Sequence, residues 1–353
     1  MSGTGVGAQA GFTLHEPLDL GAHATVESQS EIGAWLVPGI FDAGERTGGY
    51  VPAGSVMTDN MFDELRPWMF SIAYRMLGSA SDAEDIIQDT WFRFQRTDRA
   101  LIRSPKAFAT TTVTRLCLDR LKSARATREE YVGTWLPEPV LTSEMEGPDT
   151  VLQRSESITL AFLVLLEQLS PEQRAVFLLK EVFGQEHSAV AQALGLTVEH
   201  SRQLLRRAKA QFAAREPRLT GTADSRRAIA ERFARVFAAG DEQALTALLA
   251  RDIGLWSDGG GKATAARRPL IGRDDVLRLL IGLHRTADAV GYRSDVSLRI
   301  EDVNAEPALL VYLAGRLDAV FVFSITSDVV DAIRIVRNPE KLARLGRQLT
   351  TLH

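Results

Sequence analysis

Residues 187–209 constrain the fold of this chain more than any other segment. They begin with apolar residues at helical spacing, pass through Gly195, where a tight turn needs a positive φ, and continue after Thr197 as a second helical pattern. Leu196 is placed to fill the turn, and Thr197 to cap the second helix. On that helix, residues three or four apart are predicted to form one buried stripe: Val198, Ser201, Leu205, Ala208 and Phe212. The segment therefore predicts a helix-turn-helix, in which Ser201 departs mildly from the aliphatic residue that such motifs often bury.

The opposite face of the second helix carries polar side chains suited to the major groove of DNA. Arg and Gln side chains can reach both base edges and phosphates. The predicted DNA-contacting residues are His200, Arg202, Gln203, Arg206 and Arg207. An ordinary helical hairpin with a solvated basic face is the alternative interpretation of this segment taken alone, and we favour DNA binding.

The charge pattern agrees with local contacts to phosphate, although the formal net charge of the chain is −4. Residues 90–128 hold ten basic and two acidic side chains, and residues 197–218 hold six and two. Residues 59–89 are the reverse, with seven acidic and two basic side chains. Basic surfaces on a nearly neutral chain suit phosphate contact, but they are weak evidence by themselves.

Residues 57–128 are predicted to form a compact first helical unit. Gly78 ends its first helix, and Ser81 with Glu84 three residues later predicts a capping box for the next. This second helix carries an acidic stripe with adjacent aromatic residues: Asp82, Asp85, Asp89, Trp91 and Phe92. Such a stripe fits a protein-docking surface, for which Asp85 and Trp91 are expected to be exposed. A solvated charged face with core aromatics explains the pattern equally well.

A third helix is predicted from Pro105 to about residue 126. Its basic face carries Arg115, Arg120, Lys122 and Arg125. Asp119 is expected to pair with Arg115 four residues earlier. A salt-bridged surface helix is the alternative to a nucleic-acid-binding one.

The remaining segments predict further domains. Residues 1–56 are expected to be mostly disordered, apart from a short apolar contact segment near 35–40, and Met57 is an alternative start site. Residues 129–150 hold three Pro and two Gly and predict a linker. Residues 151–218 predict a second helical unit, in which Ser170, Pro171 and Gln173 mark a helix start.

Residues 222–345 predict an α+β domain, and 346–353 a tail. The expected helices span residues 225–238, 241–249 and 274–288. The expected strands span residues 292–303, 308–316, 319–325 and 329–336.

Several classes of protein are disfavoured by composition. The single cysteine, Cys117, lies in an apolar helical pattern, which argues against a disulfide framework and a thiolate metal cluster. No apolar run approaches the roughly 20 residues that span a bilayer, and no Lys or Arg precedes Arg46 as in a signal peptide. We therefore expect a cytoplasmic protein that contacts no membrane and needs no metal or cofactor.

Together these segments resemble the sigma-70 family, and the absence of a third domain between the two helical units resembles its extracytoplasmic-function group. The resemblance implies that the acidic helix docks on the β′ clamp of core RNA polymerase, and that the second helical unit lies near the β flap. The implied polymerase contacts are Asp85, Gln88, Asp89 and Trp91. The implied readers of the promoter −10 element are Arg115, Asp119, Arg120, Lys122 and Arg125. The helix-turn-helix face, from His200 to Arg207, is then the reader of the −35 element.

A narrower resemblance is to the sigma-J-like subgroup, which carries a C-terminal SnoaL-like domain, a cone of curved sheet and helices. Three segments carry it: residues 135–139 (WLPEP), 258–262 (DGGGK) and 338–342 (NPEKL). It implies two all-α sigma domains followed by an α+β cone that regulates them, so that no separate anti-sigma factor is required. The expected regulatory contacts are Trp135, Pro137, Asp258, Lys262, Asn338 and Pro339.

Two other functions remain in competition with this interpretation. SnoaL-like cones include cyclases and isomerases, and Asp258, His284 and Asp331 are the candidate acid/base residues. A DNA-binding regulator independent of core polymerase is the other alternative. The acidic-aromatic helix that precedes a second DNA-reading helix argues against it.

Overall fold

The computed structural model describes residues 59–129, 131–145, 158–212, 221–289 and 295–351. The expected N-terminal extension, its segment at 35–40 and Met57 lie outside these residues. Among the helices described, none is long and apolar enough to cross a membrane.

The first helical unit consists of α1 (Asp59–Leu77), α2 (Ala80–Arg96) and α3 (Pro105–Glu129). Gly78, with φ +67°, ends α1 as predicted. The predicted capping box at Ser81 is wrong. The N-cap of α2 is Ser79, whose Oγ accepts the Asp82 N–H at 3.1 Å. Ser81 instead donates to a carboxylate of the linker, a long-range partner that local sequence does not reveal.

The second helical unit consists of α4 (Leu160–Leu166), α5 (Pro171–Phe177), α6 (His187–Leu194) and α7 (Val198–Phe212), and a π-helical turn extends α5. The capping box at Ser170 is present, Gly195 is left-handed with φ +68°, and Thr197 Oγ accepts the His200 N–H at 3.1 Å. The predicted helix-turn-helix is therefore confirmed, along with its caps.

The buried stripe of α7 differs from its prediction at two positions. Val198 is 36% exposed because it lies at the first position of α7, whereas Leu204 is buried beside Leu205. With 3.6 residues per turn, Leu204 shares a face with Ser201 and Ala208.

The C-terminal domain combines four helices with one six-stranded sheet. Its helices are α8 (Ala223–Ala239), α9 (Glu242–Leu248), α10 (Arg273–Ala289) and α11 (Pro339–Thr351). Its strands are β1 (Leu249–Asp258), β2 (Leu270–Ile271), β3 (Val296–Val303), β4 (Glu306–Leu313), β5 (Arg316–Thr326) and β6 (Val329–Val336). They lie in the order β2-β1-β6-β5-β4-β3, with β1 parallel to β6 and the other pairs antiparallel.

Two features of this domain were not predicted. The sequence indicated a helix up to residue 249 and no strand before 292, yet β1 begins at Leu249 and β2 follows it. Arg251 and Asp252 are exposed near the start of β1, so its buried run begins only at Ile253. Helix α11 continues past residue 345, the expected end of the domain, to Thr351.

The two faces of the sheet pack against different parts of the protein. One face packs against α8, α9 and α10, where the rings of Phe233 and Phe323 meet at a tilted angle with centroids 4.7 Å apart. The other face, which includes Val320 and Val322, shares a single apolar core with the two helical units and α11. The sheet therefore joins the helical units instead of forming an independent module.

Candidate nucleic-acid interface

Helix α7 presents a continuous basic surface. Its predicted DNA-contacting residues are all exposed: His200, Arg202, Gln203, Arg206 and Arg207. Arg202 approaches Glu199 at 3.7 Å, but both side chains are more than half exposed, and surface pairs of this kind are weak. The face is therefore accessible to DNA.

The polar residue in the buried stripe of α7 is satisfied by its neighbour on α6. Ser201 Oγ is fully buried and lies 2.9 Å from His187 Nδ1. Desolvation and nearby Lys180 lower the pKa of His187, which favours the neutral ring. A buried hydroxyl with a hydrogen-bond partner costs little, which explains why Ser replaces an aliphatic residue here.

The acidic stripe of α2 is exposed where the resemblance places polymerase contacts. Asp85, Gln88 and Asp89 face solvent. Trp91 is half-buried instead of fully exposed, because its ring packs at 4.9 Å from Phe62. The neighbouring Phe92 side chain is 59% exposed.

The basic face of α3 makes contacts within the protein. Arg120 pairs with Asp82 and, at 3.2 Å, with Asp85, and the hydrogen bonds that Arg120 donates to Asp82 raise the pKa of Arg120. Lys122 lies 3.7 Å from Glu172 of α5, and Asp119 is exposed. The side chain of Arg125 lies outside the described residues.

Arg115 links α3 to the helix-turn-helix. The sequence pairs it with Asp119, but its guanidinium donates to the carbonyls of Ala193, at 2.8 Å, and Gln192, at 3.4 Å. These are carbonyls of the last turn of α6, where a cation is favoured by the helix dipole. Desolvation lowers the pKa of Arg115. The arginine therefore contacts the second helical unit in this arrangement.

Other buried groups hold the two helical units together. Arg174 of α5 is 3% exposed and donates to the carbonyl of Met76, at the end of α1, at 2.6 Å. The rings of Trp68 and Phe183 meet edge to face at 5.0 Å. The arrangement is closed, with the basic face of α3 partly covered by α5 and α6.

The three segments of the narrower resemblance meet at one buried carboxylate. Asp258 Oδ1 accepts the Tyr131 hydroxyl at 2.6 Å and the Gly260 N–H at 3.0 Å. Its Oδ2 accepts the Leu136 N–H at 2.8 Å and the Lys341 ammonium at 2.7 Å. We call this cluster the Asp258 centre. It ties the linker, the end of β1 and α11 together, although these segments are far apart in sequence.

Neighbouring residues complete the Asp258 centre. Asn338 caps α11 by accepting the Glu340 N–H and also donates to the Tyr131 hydroxyl at 3.0 Å. Lys262 pairs with Glu340, and the Lys341 ammonium lies 4.3 Å from the centre of the Trp135 ring. Pro137 is buried in the linker, and Pro339 is the first residue of α11.

The linker is also attached to the first helical unit, through Glu138, which sequence reasoning missed. The buried Glu138 carboxylate accepts the Ser81 N–H at 3.0 Å and thereby serves the N-terminus of α2. Its backbone carbonyl accepts the Tyr74 hydroxyl at 2.7 Å. Linker residues 131–145 therefore form an ordered segment that packs between the helical units and the sheet.

The candidate acid/base residues are not brought together as a catalytic site. Asp258 lies on the sheet face that packs toward the helical units, whereas α10, which carries His284, packs on the opposite face through Val276 and Leu280. Asp331 accepts a hydrogen bond from Thr326 at 3.0 Å, and its pKa is raised by burial. Within the described ranges, no group of three His, Cys, Asp or Glu residues is arranged to hold a metal.

Comparison with known proteins supports the order of these units. Residues 61–127 match the model of sigma-70 region 2, and residues 159–212 that of sigma-70 region 4. The chain is 39% identical over 224 residues to the ECF RNA polymerase sigma factor SigJ of Mycobacterium tuberculosis, covering 63% of this chain and 72% of that protein. It is 27% identical over 288 residues to the probable ECF RNA polymerase sigma factor SigI of the same organism, covering 80% and 94%. The crystal structure of M. tuberculosis SigJ superposes with a TM-score of 0.63 at 32% identity, over 80% of this chain and 98% of that one.

Proposed function

Because this chain belongs to the extracytoplasmic-function sigma factors of RNA polymerase, we propose that its C-terminal domain regulates promoter-specific transcription in cis. Members of this family direct transcription initiation, so the chain acts with RNA polymerase on promoter DNA. In this proposal the C-terminal domain and linker hold the first and second helical units, regions 2 and 4, in the closed arrangement. Polymerase and promoter bind the open one.

The Asp258 centre is the observation that carries the proposal. It joins the linker to the C-terminal domain with buried hydrogen bonds, while Arg115 and Arg174 join the two helical units. A covalently attached domain has a high effective concentration, so it holds contacts that would be weak between separate molecules. We infer that the cone takes the place of a separate anti-sigma factor and has no enzymatic activity.

The remaining assignments belong to the same proposal. Asp85, Gln88 and Asp89 contact the β′ clamp, with Phe92 beside them, and the second helical unit lies against the β flap. The face of α7 reads the −35 element, and the basic face of α3 reads the −10 element after Arg115 leaves α6. Since the partner is RNA polymerase, the protein works in the cytoplasm.

Trp135→Ala tests the proposal directly. It removes the ring from beneath the Lys341 ammonium, a cation–π contact that contributes about 1 kcal/mol. We expect small-angle scattering to show a larger protein and in vitro transcription with core polymerase to rise at the same time. Val132→Ala is the control, because that side chain lies in the same segment and is 57% exposed. Cis regulation is contradicted if Trp135→Ala expands the protein and leaves transcription unchanged.

Charge reversal at Asp85 tests polymerase docking. Asp85→Lys is expected to lower the affinity for core polymerase at least tenfold, because a basic partner surface is then repelled. The fold should persist, because Asp85 is exposed and Arg120 keeps its ion pair with Asp82. Asp63→Lys, on an exposed position of α1, is the matched control. Normal core binding by Asp85→Lys would show that the stripe is only a solvated face.

Promoter reading is tested at Arg202 and Arg206. If either side chain reads a base, its replacement by Ala costs roughly 1–3 kcal/mol and relaxes preference at one position. A phosphate contact would instead weaken all sequences alike and reduce the salt dependence of binding. Arg235→Ala, on the exposed side of α8, controls for lost charge. Unchanged promoter affinity in both α7 variants contradicts the assignment.

A further inference from the structure

The turn between β3 and β4 lies inside the protein, although hairpin turns usually face solvent. Asn304 and Ala305 have φ of +54° and +58°, the backbone of a two-residue hairpin turn. Asn304 is nevertheless 0% exposed, and the following Glu306 is 1% exposed. We call residues 304–306 the hairpin tip. It belongs to none of the three segments that meet at the Asp258 centre.

The side chain of Asn304 bonds to three separate parts of the chain. Its Nδ2 donates to the Tyr74 hydroxyl of α1 at 2.7 Å and to the Ile158 carbonyl, just before α4, at 2.8 Å. Its Oδ1 accepts the Val140 N–H of the linker at 3.1 Å. A buried amide with its donors and acceptor all engaged holds its partners in one geometry.

The other two residues of the hairpin tip, Glu306 and Ala305, also bond to neighbouring segments. Glu306 Oε2 accepts the Leu160 N–H, at the first turn of α4, at 3.1 Å. Its Oε1 accepts the Ser324 hydroxyl of β5 at 2.9 Å. The N–H of Ala305 donates to Thr142 Oγ1 of the linker at 3.0 Å. The sheet thus supplies a carboxylate for one of the unpaired N–H groups at the start of the second helical unit.

We propose that the hairpin tip is a latch for the second helical unit, and that its release frees this unit while the C-terminal domain stays on the linker and the first helical unit. The two attachments overlap in part. Both bond to the linker, and the hairpin tip also bonds to Tyr74 of α1. Of the two, it is the hairpin tip that reaches Ile158 and Leu160 at the entry to α4. The latch rests on the proposed closed arrangement and assigns to particular residues the step that opens it.

The test uses distances between spin labels in the full chain. One pair is placed at Asp63→Cys and Gln211→Cys, across the two helical units, and the other at Asp63→Cys and Thr286→Cys, across the first unit and the C-terminal domain. All three positions are exposed. The native Cys117 is buried, and burial raises the pKa of its thiol, so it stays unlabelled.

Asn304→Gly is the central variant, because Gly accepts the positive φ and removes only the side chain. We expect the long-distance fraction of the first pair to rise at least fivefold. The second pair should be unchanged although Asn304 also bonds to Tyr74 and Val140, because the Asp258 centre and Glu138 still hold the C-terminal domain on the linker and the first helical unit. Glu306→Gln, which keeps the shape, should give a smaller change in the same direction. Asp328→Gly is the matched control, since Asp328 has φ +66° at an exposed hairpin turn of the same sheet.

The latch is contradicted if both pairs lengthen together, or if neither changes in Asn304→Gly and Glu306→Gln. Transcription is measured on the same samples to separate the two proposals. If the first pair lengthens and transcription stays constant, the latch stands and cis regulation fails. If Asn304→Gly does not fold, as judged by circular dichroism, Glu306→Gln decides alone.

Discussion

Asp258→Ala is expected to lower the free energy of unfolding by about 3–5 kcal/mol and to raise transcription by the full-length protein. The substitution removes an acceptor that is 0% exposed and takes hydrogen bonds from Tyr131, Leu136, Gly260 and Lys341. The Lys341 ammonium, 13% exposed, then loses its carboxylate counter-charge. Denaturant unfolding gives the stability, and in vitro transcription gives the activity.

The partner of Asp258 supplies the control. Asp258→Ala combined with Lys341→Met should be more stable than Asp258→Ala alone, because removing both charges leaves no uncompensated ammonium. Asp318→Ala breaks a partly exposed pair with Arg337 and should cost less than about 1 kcal/mol. Equal costs for Asp258→Ala and Asp318→Ala would contradict the importance of the Asp258 centre.

Gly78→Ala is expected to release the linker from the first helical unit. A Cβ at this position would lie 2.6 Å from Cη2 of Trp135, and the residue has φ +67°. The left-handed backbone costs a non-glycine residue about 1–2 kcal/mol. Displacing the indole adds about 1–3 kcal/mol of overpacking. Scattering should show expansion, with increased binding to core polymerase.

Gly184 separates these two costs. It has φ +66°, but a Cβ there meets nothing within 4 Å, so Gly184→Ala carries only the backbone cost. In a Trp135→Ala background, the indole is absent, so Gly78→Ala should destabilise the protein by only the backbone cost that Gly184→Ala carries. If Gly78→Ala and Gly184→Ala are indistinguishable in compactness and core binding, Trp135 does not hold the linker closed.

The helix-turn-helix was predictable because its determinants are local. The capping box at Ser170, the left-handed Gly195 and the cap at Thr197 each depend on residues within one helical turn. The exposed basic face of α7 follows from the same 3.6-residue period. The four expected strands were also indicated by local alternation or apolar runs. The strand at 329–336 has the predicted limits, and the other three have different ones.

Partners far apart in sequence were not predictable. The local sequence predicts Ser81 as a helix cap, but in the structure its N–H donates to Glu138 of the linker. The local sequence likewise pairs Arg115 with Asp119, but in the structure Arg115 donates to a carbonyl of α6. Trp91 lies beside an exposed stripe, yet Phe62 of α1 partly buries it. Each of these outcomes depends on which elements pack together, which periodicity does not specify.

The hairpin tip was predictable from the sequence only in part. Asn304 in a short connection between two predicted strands indicates a turn. Nothing in the local sequence indicates that the turn is buried, or that Tyr74 and Ile158 receive its hydrogen bonds. The convergence at Asp258 was suggested only by the resemblance of three segments to one subgroup.

In our proposal the free protein is closed and polymerase binds the open form. Distances between labels at Asp63→Cys and Gln211→Cys, measured before and after addition of core polymerase and promoter DNA, test it most directly. We expect one short distance in the free protein and a longer one in the complex. The same short distance in a transcriptionally active complex would contradict it.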